Sequence, residues 1–150
     1  MIKEATLFDL PSVFEISKEL YSKAVNHQNI YKWDDASAIH SLKILITSDN
    51  STILIDEQNK KLNGFIIANI STPPAGKNLI ASDIAFFVRP EAQGGTTALR
   101  LIKRYETWAK SKGATHIELG VSSGVNTERT LSMYSFLGYS PSSVTYIKEL

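Results

Sequence analysis

The segment from residue 79 to residue 111 constrains the fold more than any other part of the sequence. It begins with the run "LIASDIAFFV", which has the length and the β-branched and aromatic content of a strand inside a sheet. Pro90 ends that strand, because proline has no N–H to donate to a neighbouring strand. A helix follows, and its apolar stripe consists of Ala98, Leu101, Ile102, Tyr105, Trp108 and Ala109. A strand followed by a one-sided helix predicts a sheet covered by helices.

The rest of the chain supplies further strands and helices for this arrangement. Helices are predicted to begin near Asp9, which is a possible cap, and near Asp34, and Gly113 is expected to end the helix described above. "STILID" and "LNGFIIANIS" flank the polar "EQNKK" and predict a hairpin. "THIELGV" predicts a strand, "NTERTLSMYSFLG" a short helix and "SVTYIKEL" a closing strand. Because no repeat or linker interrupts this order, we expect one α/β (α+β) domain over residues 1–150.

Composition excludes several classes of function. The 150 residues are 43% hydrophobic and 21% charged, with 16 Lys and Arg against 15 Asp and Glu. A net charge of +1 gives no overall field that would attract nucleic acid or an anionic membrane, and we expect neither partner. Cysteine is absent, which excludes disulfides, thiolate metal sites and a cysteine nucleophile. The longest apolar runs are too short to span a bilayer, so a cytoplasmic location is the expectation.

The glycine pair before the helix suggests contact with a ligand. Gly94 and Gly95 raise the entropic cost of folding, and bare backbone at a helix start lets a phosphate approach the unpaired N–H groups. A plain turn is the alternative explanation. Neither "PPAGKN" nor "QGGTTA" fits the two best-known phosphate loops, because the first lacks the initial P-loop glycine and the second lacks the GxGxxG spacing.

These residues resemble the cofactor core of the GNAT superfamily of N-acetyltransferases. The resemblance covers residues 79–139 closely, through "FFVRPEAQGGTTALRLI" and "NTERTLSMYSFLGY", and the rest in element order. In the family motif V-x-P-x-x-(Q/R)-x-x-G-x-(G/A), this chain matches at Val88, Pro90, Gln93 and Ala98, whereas Thr96 stands where the family prefers glycine. The "RPE..GG...L" arrangement also resembles GNAT-like proteins of bacteriophages.

The resemblance implies a fold, a cosubstrate and a set of binding residues. The fold would be a mixed, mostly antiparallel sheet flanked by helices on both faces, and the cosubstrate would be acetyl-CoA, without a metal. The backbone at Phe87 and Val88 would pair with the pantetheine arm, and Asn126 and Thr130 would line the same cleft, although Asn126 is also a plausible helix cap. The pyrophosphate would lie against Gln93, Gly94, Gly95, Thr96, Thr97 and Ala98.

The implied reaction is direct transfer of the acetyl group to a primary amine. Tyr134 corresponds to the family's tyrosine that protonates the departing thiolate, and its alternative role is that of a core aromatic residue. An amine arrives mostly as ammonium and must lose a proton, so a carboxylate is expected in the cleft. Asp83 and Glu118 are the candidates, although each is also an ordinary acid for a strand.

Parts of the sequence also suggest three other functions. A GNAT-like module that binds CoA, or serves assembly, without catalysis would share the same motifs. "GVSSG" matches the nucleophile elbow of serine hydrolases, but every histidine precedes Ser122, which contradicts the order of that triad. His116 and Glu118 imitate a zinc-deaminase motif whose cysteines are missing here, so no metal is expected.

The acceptor is the least constrained part of the prediction. A small molecule or a peptide fits, bound near the N-terminal helices, and a homodimer would be unsurprising for the family. The residues that could line the acceptor pocket, or merely pack, are Tyr21, His27, Tyr31, Trp33 and Asp34.

Overall fold

The computed structural model describes residues 1–150 and is built around a five-stranded sheet. The strands are β1 (Ile2–Glu4), β2 (Ser51–Gln58), β3 (Lys61–Ser71), β4 (Leu79–Val88) and β5 (Ala114–Glu118). They lie side by side in chain order; the pairs from β1 to β4 are antiparallel, and β4 and β5 are parallel. The sheet is therefore mixed and mostly antiparallel, which confirms the predicted class.

Five helices lie on the two faces of this sheet. They are α1 (Leu10–Lys23), α2 (Val25–Gln28), α3 (Asp35–Thr47), α4 (Thr97–Ser111) and α5 (Thr127–Phe136). Val13, Ile16 and Leu20 of α1 pack with Phe65 and Phe87 on one face. On the other face the buried residues of α4 and α5 pack against Leu54, Ile66, Ala68, Ile70 and Ala81. Helices on both faces confirm the layered arrangement that the sequence predicted.

The helix predicted after the glycine pair is α4. Leu101, Ile102, Tyr105 and Trp108 of the predicted stripe are buried in the core, as the helical spacing requires. Asp56 of β2 fixes the first turn, because its buried carboxylate accepts hydrogen bonds from Thr97 Oγ1 and Arg100 Nη2, each at 2.8 Å. The start of α4 is thus bonded to β2 of the sheet.

β4 contains a bulge and separates from β5 beyond Ser82, which leaves an opening in the sheet. Ile67 pairs with Ala85 and Ala68 pairs with Asp83, so Ile84 is an extra residue on β4. Pairing between β4 and β5 runs only from Leu79 to Ser82, after which the two strands diverge. Parallel strands that separate in this way leave backbone groups of β4 facing a gap.

Two local predictions were wrong. "SVTYIKEL" forms no strand: residues 139–150 have no regular structure, and the side chains of Val144, Tyr146 and Ile147 are exposed. Its apolar residues favour a strand only where a sheet edge pairs with them, and β5 is bonded to β4 alone. Asp9 stands before α1 but does not cap it, because its carboxylate accepts from the Thr6 N–H at 2.8 Å and so closes the preceding turn.

None of the helices combines the length and apolar character that crossing a bilayer requires.

Candidate active site

A cleft of about 530 Å³ opens where β4 and β5 diverge. Its walls come from β4, from the turn before α4, from the loop between β5 and α5, and from α5 itself, while Leu20 and His27 close the side nearest α1. More than half of its lining residues are hydrophobic. A mostly apolar cleft with a few polar groups is typical of a small-molecule site.

The wall formed by β4 offers backbone groups to the cleft. Arg89 N–H donates to Asn63 O on the β3 side, so by the alternation of a strand Val88 and Phe86 turn their backbone groups toward the gap. Val88 O accepts a hydrogen bond from Gln93 Nε2 at 3.0 Å, which agrees with this direction. Phe87 is buried and its ring packs against Phe65. A ligand lying in the gap would therefore meet peptide groups near Val88.

The glycine turn lies at one end of the cleft. Gly94 has a φ of 83°, a conformation that residues with a side chain rarely adopt, and both Gly94 and Gly95 are exposed. A Cβ placed on Gly94 would stand 3.7 Å from Nη2 of Arg129, so a cation of α5 lies beside the bare backbone. The first N–H groups of α4 are not used inside the helix. Bare amides and one guanidinium form an environment that favours an anion.

Residues 96–98 have different surroundings. Ala98 lines the cleft, whereas Thr96 is exposed and its side chain makes no capping bond to α4. The side chain of Thr97 is buried and bonded to Asp56, which directs it away from the cleft. Only the backbone of Thr97 is thus available to a ligand at the helix start.

Asn126 connects the turn to α5. Its φ of 49° is left-handed, and its side chain does not cap the helix but donates from Nδ2 to Gln93 Oε1 at 3.1 Å. Thr130 lines the cleft one turn later and donates from Oγ1 to Asn126 O. The amides of Gln93 and Asn126 therefore form a short polar chain that ends at Val88 O.

Tyr134 and Asp83 both bond to the backbone of one residue, Gly120. The Tyr134 hydroxyl donates to Gly120 O at 3.0 Å, and Gly120 N–H donates to Asp83 Oδ1 at 2.8 Å. All three residues line the cleft. Gly120, which begins the β5–α5 loop, is therefore held through both its N–H and its carbonyl, so the phenol and the carboxyl group have defined positions in the same wall.

Burial shifts the acid–base behaviour of this pair. Burial raises the pKa of Asp83 to about 6, because desolvation of the charged form outweighs the hydrogen bond from Gly120. Burial, reinforced by the charge of Asp83, also raises the pKa of the Tyr134 phenol above its usual value. At neutral pH Asp83 is therefore mostly ionised but close to its titration range, and Tyr134 keeps its proton.

Glu118 lies apart from these groups. Its side chain is exposed, accepts a hydrogen bond from Ser82 Oγ at 2.8 Å and does not line the cleft. Of the two carboxylates considered from the sequence, only Asp83 faces the cleft.

The end of the cleft near α1 is closed by a contact between distant parts of the chain. His27 Nε2 lies 3.3 Å from Ser122 Oγ, and Asn26 Nδ2 donates to Ser122 O at 3.1 Å. No carboxylate is bonded to His27, so the pair lacks the orienting acid of a hydrolase triad. Of the aromatic residues named from the sequence, Tyr31 packs against the His27 ring, and Tyr21 packs against both Tyr31 and Trp33.

One residue of the cleft and one contact within it were not identified from the sequence. Arg129 stands on α5 three residues after Asn126, and its cationic side chain in the first turn of a helix gave no signal that it faces a glycine turn. The contact between His27 and Ser122 joins residues 95 positions apart, so no spacing rule reveals it.

No group of three or more His, Asp or Glu residues is arranged to hold a metal ion.

The sequence matches a known protein family, and the fold matches solved structures. The model of the Acetyltransferase (GNAT) family matches residues 10–139. A mutant of the BH1408 protein from Bacillus halodurans is 18% identical, with a TM-score of 0.82, and the match covers 100% of this chain and 99% of that one. The aminoglycoside N-acetyltransferase AAC(6')-Iy in complex with CoA is 15% identical, with a TM-score of 0.80 and coverage of 100% and 93%.

A third structure, the ribosomal-protein-alanine N-acetyltransferase from Brucella melitensis biovar Abortus 2308, is 18% identical. Its TM-score is 0.77, and the match covers 100% of this chain and 98% of that chain. No sequence among the curated proteins matches significantly.

Proposed function

The chain belongs to the GNAT acetyltransferase family, and from that premise we propose that it transfers the acetyl group of acetyl-CoA directly to a primary amine. The observation that carries this proposal is the cleft between β4 and β5, which has the anion-favouring turn at one end and the Asp83–Gly120–Tyr134 group in its wall. The acceptor we propose is a small molecule or a peptide that enters from the α1 side.

The residues present fit a CoA thioester. The pyrophosphate would lie against Gln93–Ala98, where Gly94 has left-handed backbone and Arg129 supplies a positive charge. The pantetheine arm would follow the backbone groups of β4 that lack a partner in β5. A backbone N–H near Val88 would stabilise the oxyanion that forms when the amine attacks the carbonyl carbon.

Tyr134 and Asp83 supply the acid–base chemistry in this proposal. Tyr134, which stays protonated across the physiological range, would donate its proton toward the departing thiolate. Asp83, ionised above a pKa of about 6, would accept a proton from the nitrogen of the attacking amine. Because both groups bond to Gly120, the donor and the acceptor are held at a fixed separation.

The first experiment separates binding from catalysis. A ligand that binds only the folded state stabilises it by about 2.7 kcal/mol at a hundredfold excess over Kd, which for a chain of this length raises the melting temperature by several degrees. We expect this rise with acetyl-CoA, and we expect free thiol to appear only when a reactive amine is added from a panel of small amines and peptides. Stabilisation without thiol release for any amine would favour the CoA-binding module without catalysis.

The second experiment tests the acid. Tyr134→Phe removes the hydroxyl but keeps the ring in the core, so kcat should fall about 10²-fold or more while the stabilisation by acetyl-CoA is retained. Tyr139→Phe is the matched control, because that hydroxyl bonds to Glu106 and lies outside the cleft although the two rings are neighbours. An unchanged kcat in Tyr134→Phe would remove this tyrosine from the mechanism.

A further inference from the structure

The contact between α2 and the β5–α5 loop brings an imidazole into the cleft. His27 and Ser122 both line the cleft, and His27 Nε2 lies 3.3 Å from Ser122 Oγ. Leu20 belongs to the core cluster on the α1 face, whereas Tyr134 belongs to the core cluster on the α4 and α5 face. The imidazole therefore lines the cleft from α2, an element separate from the β4 and α5 that carry Asp83 and Tyr134.

The position of this pair is fixed by its neighbours. Asn26 Nδ2 donates to Ser122 O at 3.1 Å, which holds the loop against α2. Gly124, with a φ of 79°, allows this approach, because a Cβ there would stand only 3.0 Å from Asn26 Nδ2. The contact that holds His27 at the cleft therefore depends on Asn26 and Gly124 as well as on Ser122.

We infer that His27 accepts the first proton from the ammonium form of the acceptor, with the Ser122 hydroxyl as its hydrogen-bond partner, before the amine attacks. The inference rests on the proposed acetyl transfer and adds a residue that acts on the acceptor side. His27 would touch the substrate nitrogen directly or through the Ser122 hydroxyl.

The proton balance of the reaction calls for such a group. An ammonium that becomes an amide loses two protons: the C–N bond forms, the C–S bond breaks, one proton goes to the sulfur and one leaves to solvent. Asp83 and Tyr134 lie together and suit the proton that ends on sulfur. The other proton must leave before attack, because it occupies the nitrogen lone pair, and His27 lines the same cleft from a different element.

The surroundings of His27 keep its imidazole able to accept a proton. Burial lowers the pKa of His27, which favours the neutral form of the ring. Tyr31 packs against the ring, and the charged or titratable side chains that line the same cleft are Asp83, Arg129 and Tyr134. None of them is hydrogen-bonded to His27, whose one side-chain partner is Ser122.

The test compares two small amines of similar size. Ethylamine is mostly protonated at pH 7, and trifluoroethylamine is mostly neutral. His27→Gln keeps a group that can hydrogen-bond to Ser122 but cannot take up the proton, so kcat/KM for ethylamine should fall about 10²-fold, the usual contribution of a general base. For trifluoroethylamine, which needs no first deprotonation, we expect a change of less than about threefold. His40→Gln, an exposed histidine of α3 outside the cleft, is the matched control and should leave both rates unchanged.

The outcomes separate this inference from the proposed function. Equal losses for both amines would mean that His27 has only a structural role, and no loss for ethylamine would exclude it from the reaction; either result overturns the inference and leaves acetyl transfer standing. A wild-type protein that acetylates neither amine nor any member of the amine panel would overturn acetyl transfer and the inference with it.

A measurement without turnover provides a second readout. In the protein saturated with CoA, addition of ethylamine should shift the ring resonances of His27, identified by their loss in His27→Gln, and leave those of His116 in place. His116 serves as the internal reference, because its Nδ1 lies beside Thr115 Oγ1 and its ring is outside the cleft. Ethylamine that shifts resonances of Asp83 or Tyr134 but not those of His27 would overturn the inference.

Discussion

Replacement of Asp56 by asparagine tests how the start of α4 is held. The carboxylate is fully buried, and its Oδ2 atom accepts from Thr97 Oγ1 and from Arg100 Nη2, both at 2.8 Å. The N-terminal ammonium lies 3.3 Å from Oδ1, but it is itself largely exposed and adds little. The two short hydrogen bonds therefore carry the interaction.

The expected loss follows from these bonds. A hydrogen bond to a charged group contributes about 1.5–3 kcal/mol, and a neutral acceptor gives about half of that. Asparagine keeps one acceptor oxygen of nearly the same shape, so Asp56→Asn should lower the free energy of unfolding by about 1.5–3 kcal/mol. For a chain of this length that loss corresponds to a fall in melting temperature of about 3–12 °C.

Urea unfolding followed by tryptophan fluorescence measures this loss directly. The midpoint should fall while the slope of the free energy against urea concentration stays the same, because the folded state remains equally compact. Glu91→Gln is the control: that carboxylate forms an equally short ion pair with Lys61, but both side chains are exposed, so the midpoint should not move. A loss below about 0.5 kcal/mol in Asp56→Asn would refute the argument that this buried carboxylate anchors the helix.

Four further outcomes are expected. Gly94→Ala should lower stability by about 1 kcal/mol and weaken CoA binding, measured by calorimetry, because alanine resists a φ of 83°. Arg129→Gln should raise the Kd for CoA, and the difference from wild type should shrink as salt is added, since a charge contact is screened. The rate of acetyl transfer should fall as the pH drops through about 6, where Asp83 takes up a proton and can no longer accept one; because protonation of His27 would also slow the reaction, the limb that belongs to Asp83 is the one that Asp83→Asn removes in a protein already carrying His27→Gln. Deletion of residues 141–150, all of them exposed, should leave the midpoint of urea unfolding unchanged, provided that Tyr139 is kept.

The sequence predicted those elements whose local pattern coincides with their tertiary role. The stripe of α4 is buried where helical spacing places it, and the run from Leu79 to Val88 is a strand. Both depend on periodic burial, which is visible in a single segment. The strand predicted from residue 143 was wrong for the complementary reason. Its sequence alternates as a strand does, but a strand forms only if the edge of a neighbouring strand pairs with it, and no local pattern shows whether such an edge is present.

The residues of the candidate site also differ in whether the sequence could predict them. The glycine turn was suggested by its position before a helix, Tyr134 by the resemblance to the GNAT superfamily and Asp83 by the need for a base, and the structure brings all three to one cleft. Glu118 is the counterexample. Alternation along a strand does not show which group an acidic side chain will contact, and the Glu118 carboxylate accepts a hydrogen bond from Ser82 instead of facing the cleft. Contacts across the fold, such as the one between His27 and Ser122, depend on how α2 meets a distant loop.

The loop from Gly120 to Gly124 shows why a sequence motif can suggest the wrong chemistry. Its G-x-S-x-G spacing imitates a nucleophile elbow, yet in this fold the loop makes structural contacts with two other parts of the cleft. A Cβ on Gly120 would lie 3.6 Å from Asp83 Oδ1, and Gly124 has left-handed backbone beside Asn26. Gly124 thus lets Asn26 approach the loop, whereas the contact with Asp83 depends on the backbone N–H of Gly120.

The β5–α5 loop connects residues from several walls of the cleft. Gly120 bonds to Asp83 through its N–H and to Tyr134 through its carbonyl, and two residues later Ser122 O accepts a hydrogen bond from Asn26 of α2. The proposed acid and the proposed acceptor-side base therefore reach each other through a few residues of backbone. A change that lengthens this loop should disturb both groups together, whereas substitution of one side chain should disturb only its own step, because the peptide groups that fix the other remain in place.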